Sequence, residues 1–303
     1  MNRRAIIVYI TSGFIICIVL LSAYFLFKKP DRSASAVPQD AKRVIVFKDM
    51  KYSGEKKGVI DWEIRAKTAR KYIDKPFVEM EGIEGTYKPN PEVTVFFKGS
   101  KGEIDTTEEK GTVQDVEVLY KGQYTLASPS MDFDFKKSLA WTSAPVELKG
   151  QRLDLIGVGL VADTKEQTVK VQRDVHGTVE TENKKYKFSS DNFTYLLKDQ
   201  SYVFEGKVVV KGEEMTLLCD KVYVVSNGDA IEKIEARGKV RLLTKGTIAK
   251  SELALYYLKE ERVELRQAPK ITKDNVEMVG ELIVYDMKTG TFSVERPKMR
   301  IEQ

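Results

Sequence analysis

From residue 44 onward, apolar and polar residues alternate one by one, and this period of two constrains the fold more than any other feature of the sequence. Val263 and Leu265, for example, alternate with Glu264 and Arg266. In an extended strand, successive side chains point to opposite faces, so the pattern gives each strand one apolar and one polar face. Beyond about residue 30 no long stretch has the helical period. The pattern therefore predicts an all-β fold for this part of the chain.

The strands also recur at a longer interval. Segments of the form apolar–x–apolar begin 29 to 33 residues apart, near Met131, Leu160, Phe193, Val222, Leu253 and Leu282. Glycine, often beside Asn, Asp, Lys or Thr, punctuates them, which is typical of hairpin turns. No crossover helices are available, which excludes a parallel α/β sheet. Of the remaining choices (sandwich, barrel or stacked jelly roll), the repeat favours a jelly roll extended along one axis.

The N-terminal segment differs from the rest of the chain. Residues 5–27 are 23 residues without a charge, and as a helix they would extend about 34 Å, enough to cross a bilayer core. Ala34 to Ala36 resemble a signal-peptidase site, but the apolar cores of signal peptides are shorter, about 7–15 residues. We therefore expect a retained transmembrane helix over 5–27, a cytoplasmic tail over 1–4 and a flexible linker over 28–43.

The net charge of +5 at first suggests an anionic partner, but its location argues against nucleic acid. Most of the excess lies in the first 32 residues, at Arg3, Arg4, Lys28, Lys29 and Arg32. The rest of the chain is nearly neutral, with charges of alternating sign. A nucleic-acid interface needs a concentrated basic face. No nucleic-acid partner is therefore expected.

Sequence motifs for catalysis, nucleotides or metals are missing from the chain. The single histidine, His176, has no His or Cys neighbours in sequence, and it is interpreted as a surface or turn residue. Cys219 is interpreted as a small buried apolar residue. No nucleophile elbow, phosphate loop or dinucleotide-binding pattern is present. The sequence thus predicts no enzyme, no metal and no cofactor.

The anchor-like segment and the repeated strand segments resemble, in their order along the chain, the lipopolysaccharide-transport β-jelly-roll families LptC and LptA/OstA. The LptC-like part is predicted over 44–182, on the segments Gly58–Ala66 and Leu153–Asp163 that follow the anchor. The LptA/OstA-like part is predicted over 183–303, on Phe188–Tyr195, Ile234–Val240 and Gly280–Tyr285. The fold class expected is thus two consecutive open β-jelly-roll modules after one transmembrane helix. A short LptC would end near residue 180–190, whereas this chain continues with an LptA-like part. Whether a separate LptA protein is still needed is therefore left open.

The resemblance implies a function and a location. It implies an inner-membrane, single-pass protein with a cytoplasmic N-terminus, whose periplasmic bulk passes lipopolysaccharide from the Lpt ABC transporter towards the outer membrane. Its partners would be the acyl chains of lipid A, the transporter, and an LptA-like bridge or outer-membrane Lpt receptor at the C-terminal edge. The alternative is an anchored β-scaffold that carries no lipid.

Interior side chains are the candidates for a lipid groove, because acyl chains need an apolar surface. The same residues could instead fill a sealed core, since a groove floor and a core share one composition. The candidates are Trp62, Ile64, Phe133, Phe135, Trp141 and Leu148 in the first module, and Phe193, Tyr195, Phe204, Val208, Leu217, Val222, Leu255 and Leu265 in the second.

Overall fold

The structure is a computed structural model that describes residues 44–56, 59–90, 93–120, 124–181, 184–227, 230–273 and 276–301. These residues form strands and turns, which confirms the all-β prediction. No helix within them is long and apolar enough to cross a membrane. The predicted tail over 1–4, membrane span over 5–27 and linker over 28–43 lie outside the described residues.

The described part of the chain contains 21 strands. They are β1 (Val44–Lys56), β2 (Val59–Tyr72), β3 (Phe77–Asn90), β4 (Val93–Asp105), β5 (Lys110–Tyr120), β6 (Tyr124–Asp134), β7 (Leu139–Lys149), β8 (Leu153–Asp163), β9 (Thr168–Glu180), β10 (Lys185–Ser190), β11 (Asn192–Leu196), β12 (Ser201–Lys211), β13 (Thr216–Asn227), β14 (Ala230–Thr244), β15 (Thr247–Tyr257), β16 (Arg262–Arg266), β17 (Lys270–Lys273), β18 (Val276–Val279), β19 (Leu282–Asp286), β20 (Thr291–Glu295) and β21 (Lys298–Ile301).

Each long strand bends near its middle, so that its two halves lie in two different sheets. The two sheets therefore share most of their strands. The half of β2 over 59–66 belongs to what we call the first sheet, and the half over 68–72 to the second sheet. β10 lies in the first sheet and β11 in the second. After β15 the sheets separate, and β17, β18 and β21 extend the first while β16, β19 and β20 extend the second. We call the line of bends the corner.

At the corner, the inward face of a strand changes in one of two ways. In β13 the inward residues step by three positions, from Cys219 to Val222, so the alternation changes phase. In β12 they step by four, from Phe204 to Val208, because one extra residue forms a bulge. Gly206 and Lys207 take φ angles of 79° and 45° there. The φ of Gly206 lies in the left-handed region, which residues with a side chain rarely adopt, so this position favours glycine.

Loops at one end of the strands follow a repeated design. An aspartate ends the strand and caps the turn, as where Asp105 Oδ1 accepts the backbone N–H groups of Thr107 and Glu108 at 2.8 and 2.9 Å. These bonds, that of Glu108 first, lower the pKa of the Asp105 carboxyl. Successive loops are also joined, because Phe135 N–H donates to the carbonyl oxygen of Glu109 at 3.0 Å. The loops therefore stack in register along the sheet.

Each sheet ends in a row of loops on the side opposite the corner. The two rows face each other, and we call this side the mouth. There the hydroxyl of Tyr87, at the end of the first sheet, lies 3.0 Å from Thr164 Oγ1, in a loop of the second. Between corner and mouth, inward side chains form one apolar core that extends from Trp62 to Met287. The fold is thus a bent double sheet around a continuous apolar interior.

The sheets run without interruption past the predicted module boundary near residue 182. β9 pairs with β10 from Val175 to Glu180 and with β11 from Thr168 to Val171. Residues 44–303 form one compact unit by their backbone contacts. The division into 44–182 and 183–303 stays a prediction, and the structure adds that the interior continues across it.

Candidate functional site

A cavity of about 140 Å³ lies between the two sheets, from β6 to β16 and the residue after β19. Its walls are mostly apolar and come from both sheets, while its few polar groups lie near the mouth. It is lined by Tyr124, Gln151, Arg152, Leu153, Val179, Thr181, Tyr186, Phe188, Tyr202, Phe204, Val210, Met215, Leu217, Val222, Val224, Ser226, Ile231, Ile234, Ala236, Leu242, Ala254, Tyr256, Val263 and Met287. Such a cavity offers an apolar guest dispersion contacts and shelter from water.

Three of the residues predicted from the sequence line this cavity: Phe204, Leu217 and Val222. Others are buried in the apolar core, namely Trp62, Ile64, Phe193, Val208 and Leu265. Another group is partly buried and packs against that core: Phe133, Phe135, Leu148 and Tyr195. All of these side chains therefore face the interior, and their contact with lipid stays a prediction.

Two predicted interior residues, Trp141 and Leu255, lie instead on the outer faces of the sheets. Trp141 alternates in β7 with Ala140 and Thr142, which point inward, and it is 36% exposed. Leu255 alternates with Ala254 and Tyr256, which line the cavity. The prediction was wrong for both. For Leu255 the reason is the corner in β15, where the alternation changes phase.

Tyrosines cross the mouth of the cavity from one sheet to the other. The Tyr186 hydroxyl lies 3.5 Å from the Tyr256 hydroxyl. Tyr124 and Tyr202 both line the cavity, and their hydroxyl groups interact across the mouth. We call these the cross-mouth tyrosine pairs. Burial first, and then the partner hydroxyl, raise the pKa of Tyr186 and of Tyr202 above the usual value for tyrosine. Both side chains are therefore neutral at physiological pH.

Aromatic contacts continue within the second sheet, from Tyr202 to the neighbouring strand β11. The ring of Tyr195 stacks on that of Tyr202 with centroids 4.8 Å apart. Burial, followed by the nearby Tyr124 and Tyr120 hydroxyls, raises the pKa of Tyr195 to about 12. The mouth is therefore amphipathic, with rings that face the cavity and hydroxyl groups near its edge.

Sequence reasoning missed the mouth residues, although part of the signal was present. Tyr186 precedes Phe188 by two residues in β10, and Tyr202 precedes Phe204 by two in β12, so the alternation marks both as inward. What the alternation cannot give is the partner, because Tyr124 and Tyr202 come from different sheets. Only the folding of the sheets onto each other brings them together.

Chemically reactive groups play no visible part in this cavity. Burial raises the pKa of the Cys219 thiol to about 12, so it stays protonated and is a poor nucleophile. His176 is exposed in strand β9 rather than in a turn, and its Nδ1 lies 3.0 Å from the carbonyl oxygen of Asp174. Within the described ranges, no three His, Cys, Asp or Glu side chains are grouped so as to hold a metal ion. The arrangement is suited to holding an apolar molecule.

The chain matches two protein families. Residues 14–180 match the family described as "Lipopolysaccharide-assembly, LptC-related". The chain belongs to this LptC-related family. Residues 187–291 match a second family, described as "LptA/(LptD N-terminal domain) LPS transport protein". The predicted fusion of an LptC part with an LptA-like part is confirmed, and the chain has a role in lipopolysaccharide transport.

Among solved structures, the chain is similar to LptH, described as the LptA homologous periplasmic component of the lipopolysaccharide transport device from Pseudomonas aeruginosa. The identity is 20% and the TM-score 0.35, over 39% of this chain and 95% of LptH. No curated protein matches the chain.

The cavity draws its walls from both family parts. Leu153 and Val179 lie within the LptC-related range, whereas Phe204 and Val263 lie within the LptA-like range. The LptC-related part thus does not end in a closed core of its own. Its apolar interior continues directly into that of the LptA-like part.

Proposed function

We propose that this LptC-related chain is an inner-membrane-anchored periplasmic carrier that passes lipopolysaccharide along its apolar interior. Exposure of acyl chains to water costs about 0.8 kcal/mol per methylene, so a lipid with several chains needs continuous shelter between membranes. The observation that carries the proposal is the apolar cavity, whose walls join the LptC-related and LptA-like parts. In this proposal the chain is a carrier rather than an enzyme, and a partner ABC transporter supplies the energy.

The strand edges support assembly with partners at both ends. Within the described residues β1 pairs only with β2, and at the other end β20 pairs only with β19 and β21 only with β18. Unpaired edges are sites where another chain can add a strand. We place the transporter at the β1 end, and an LptA-like bridge or outer-membrane Lpt receptor at the β20 and β21 end.

The anchor is proposed from the sequence, on the uncharged run over 5–27. We expect the full chain to stay in the membrane pellet after alkaline extraction, with the part after residue 43 accessible to protease from the periplasmic side. Release by alkali would contradict the anchor. Protection from periplasmic protease, with digestion from the cytoplasmic side, would reverse the orientation.

The carrier proposal is tested by photo-crosslinking in cells. A photoreactive phenylalanine analogue is placed at the cavity-lining Leu217 or Val222 and, as matched controls, at the outer-face Leu255 and Trp141. We expect adducts with lipopolysaccharide from the cavity positions and none from the controls. If neither cavity position gives a lipid adduct, the chain does not carry lipid there.

One observation favours the second candidate, an anchored scaffold without lipid. A cavity of about 140 Å³ is close to the size that holds one benzene molecule, far less than a long acyl chain. The scaffold predicts protein adducts at the outer face and strand edges, and no lipid adduct at Leu217 or Val222. The same crosslinking experiment therefore separates the two candidates.

A further inference from the structure

Side-chain contacts join the two sheets at several points along the mouth. Each joins a residue near the end of the first sheet to one 70 to 78 positions later near the end of the second. The pairs are Tyr87 with Thr164, Tyr124 with Tyr202, and Tyr186 with Tyr256. Beside the last pair, Lys184 Nζ lies 3.8 Å from Glu261 Oε1. These contacts link strands that no backbone ladder joins, because the chain passes from one sheet to the other only at the corner.

The local structure favours these positions for the rings at the cavity. A Cβ on Gly150 would lie 2.8 Å from the ring of Tyr124, and one on Gly212 would lie 3.0 Å from the ring of Tyr186. Both distances are too short for comfortable contact, so glycine at these two loops lets each ring lie against the neighbouring backbone. Each hydroxyl is then held toward the opposite sheet.

The cavity is small, so these contacts must break before a long acyl chain can enter it. Because about 140 Å³ is close to the volume that holds one benzene molecule, a long acyl chain enters the interior fully only if the sheets move apart. Movement at the mouth breaks the hydroxyl contacts but leaves the backbone ladders of each sheet intact. A hydrogen bond between neutral groups contributes modestly to stability, so such contacts can break and re-form readily.

We propose that the cross-mouth tyrosine pairs are latches that hold the interior closed when empty and open to admit an acyl chain from the side. This inference rests on the proposed carrier function and deepens it by naming residues that control entry. The tyrosine rings stay with their sheets, so an open mouth still presents apolar surface to the chain. When the pairs re-form, the interior is sealed again from water.

The first test removes the hydroxyls and keeps the rings. We compare Tyr124→Phe/Tyr202→Phe and Tyr186→Phe/Tyr256→Phe with the full wild-type chain, purified in detergent. The readout is the initial rate of lipopolysaccharide adduct formation at a photoreactive residue at Leu217. We expect each double variant to load about two- to tenfold faster, as the loss of one weak hydrogen bond predicts. Tyr223→Phe, on the outer face of β13, should load at the wild-type rate.

The second test locks one latch. Tyr124→Cys/Tyr202→Cys is bridged by a cleavable bifunctional maleimide in a Cys17→Ser background, where the remaining Cys219 is buried. We expect fast loading before bridging, little after it, and recovery when the bridge is cleaved. A bridge between Thr125→Cys and Lys149→Cys, which face each other on the outer side of β6 and β7, should change nothing.

The outcomes separate this inference from the function on which it rests. If the locked chain and the hydroxyl-free variants both load at the wild-type rate, the latches are refuted while the carrier function stands. If the wild-type chain forms no lipid adduct at Leu217, the carrier function itself fails. Circular dichroism melting of each variant shows whether the fold is retained.

Discussion

The interior differs between the start of the double sheet and its middle. Near β2, rings from both sheets meet: Trp62 stacks on Phe135 with centroids 4.9 Å apart, and Phe97 lies 5.9 Å from Phe133. From β6 to β16 the same two sheets enclose a cavity of about 140 Å³. We call the first the ring-filled region and the second the hollow region.

Side-chain volume contributes to this difference. In the ring-filled region the inward positions carry large rings, and glycines on the neighbouring strands make room for them. A Cβ on Gly54 would overlap the ring of Trp62, which lies directly opposite on β2. In the hollow region, small inward residues such as Ala236 and Ala254 leave space. One backbone design thus serves both as a packed core and as a container.

The largest expected effect comes from removing a ring in the ring-filled region. Trp62→Ala deletes the contacts with Tyr52 and Phe135 and leaves a void between the sheets. We expect it to lower the free energy of unfolding by about 3–5 kcal/mol. Leu217→Ala, beside the existing cavity, should cost about 2 kcal/mol, at the low end for its class. Thermal unfolding followed by circular dichroism measures both, and equal losses would contradict the comparison.

The next effect comes from adding volume at two equally buried alanines. Ala66 in the ring-filled part of β2 and Ala236 at the cavity wall are each 2% exposed. Ala66→Leu should destabilise the chain by about 1–3 kcal/mol, because a packed core resists extra methylenes. Ala236→Leu should change stability by less than about 1 kcal/mol, because the new atoms enter the cavity. It should also reduce lipid adducts at Leu217.

A large part of this architecture is predictable from the sequence. The period of two predicts the strands, and the interval near 30 residues corresponds to the distance between alternate corners. Met131, Leu160 and Phe193, which begin three of the predicted segments, are the first inward residues after a corner. The repeat in the sequence is therefore the repeat of the bend.

The remaining features depend on contacts that no local pattern encodes. Bulges such as that at Gly206 decide whether the inward residues of a strand step by three or by four positions at the corner. The sequence pattern does not show this step, and for this reason Leu255 was assigned to the wrong face. The cross-mouth pairs depend on how one sheet folds over the other across more than 70 residues. The cavity is the difference between the space enclosed by the two sheets and the volume of the inward side chains. The alternation of apolar and polar residues cannot reveal this difference.

The mouth of the hollow region should be sensitive to alkali. The folded pKa of Tyr195, about 12, is above the usual tyrosine value near 10, so folding favours the neutral form. Its contribution to stability is complete below pH 10 and is lost as the pH rises from 10 to 12. The expected slope is at most about 1.4 kcal/mol per pH unit for this group. Urea unfolding at pH 9, 10 and 11 measures it.

Tyr195→Phe should flatten the fall in stability between pH 10 and 12, since the phenyl ring has no proton to lose. Trp62→Ala, in the ring-filled region, should lower stability equally at every pH and keep the slope. If Tyr195→Phe leaves the slope unchanged, Tyr195 is not the group on which alkali acts.

The smallest effect is expected on the outer face, where the distinction between the two regions should vanish. Trp141 lies on the outside of β7, whereas Phe133, on the neighbouring strand β6, pairs with Ala140 and points inward. Trp141→Ala should cost less than about 1 kcal/mol, because a partly exposed side chain on a paired strand leaves no cavity. Phe133→Ala, one position away in the register, should cost about 3 kcal/mol or more. Melting curves of the two variants decide the matter, since similar losses would mean that β7 presents its other face to the interior and that the corner is misplaced in that strand.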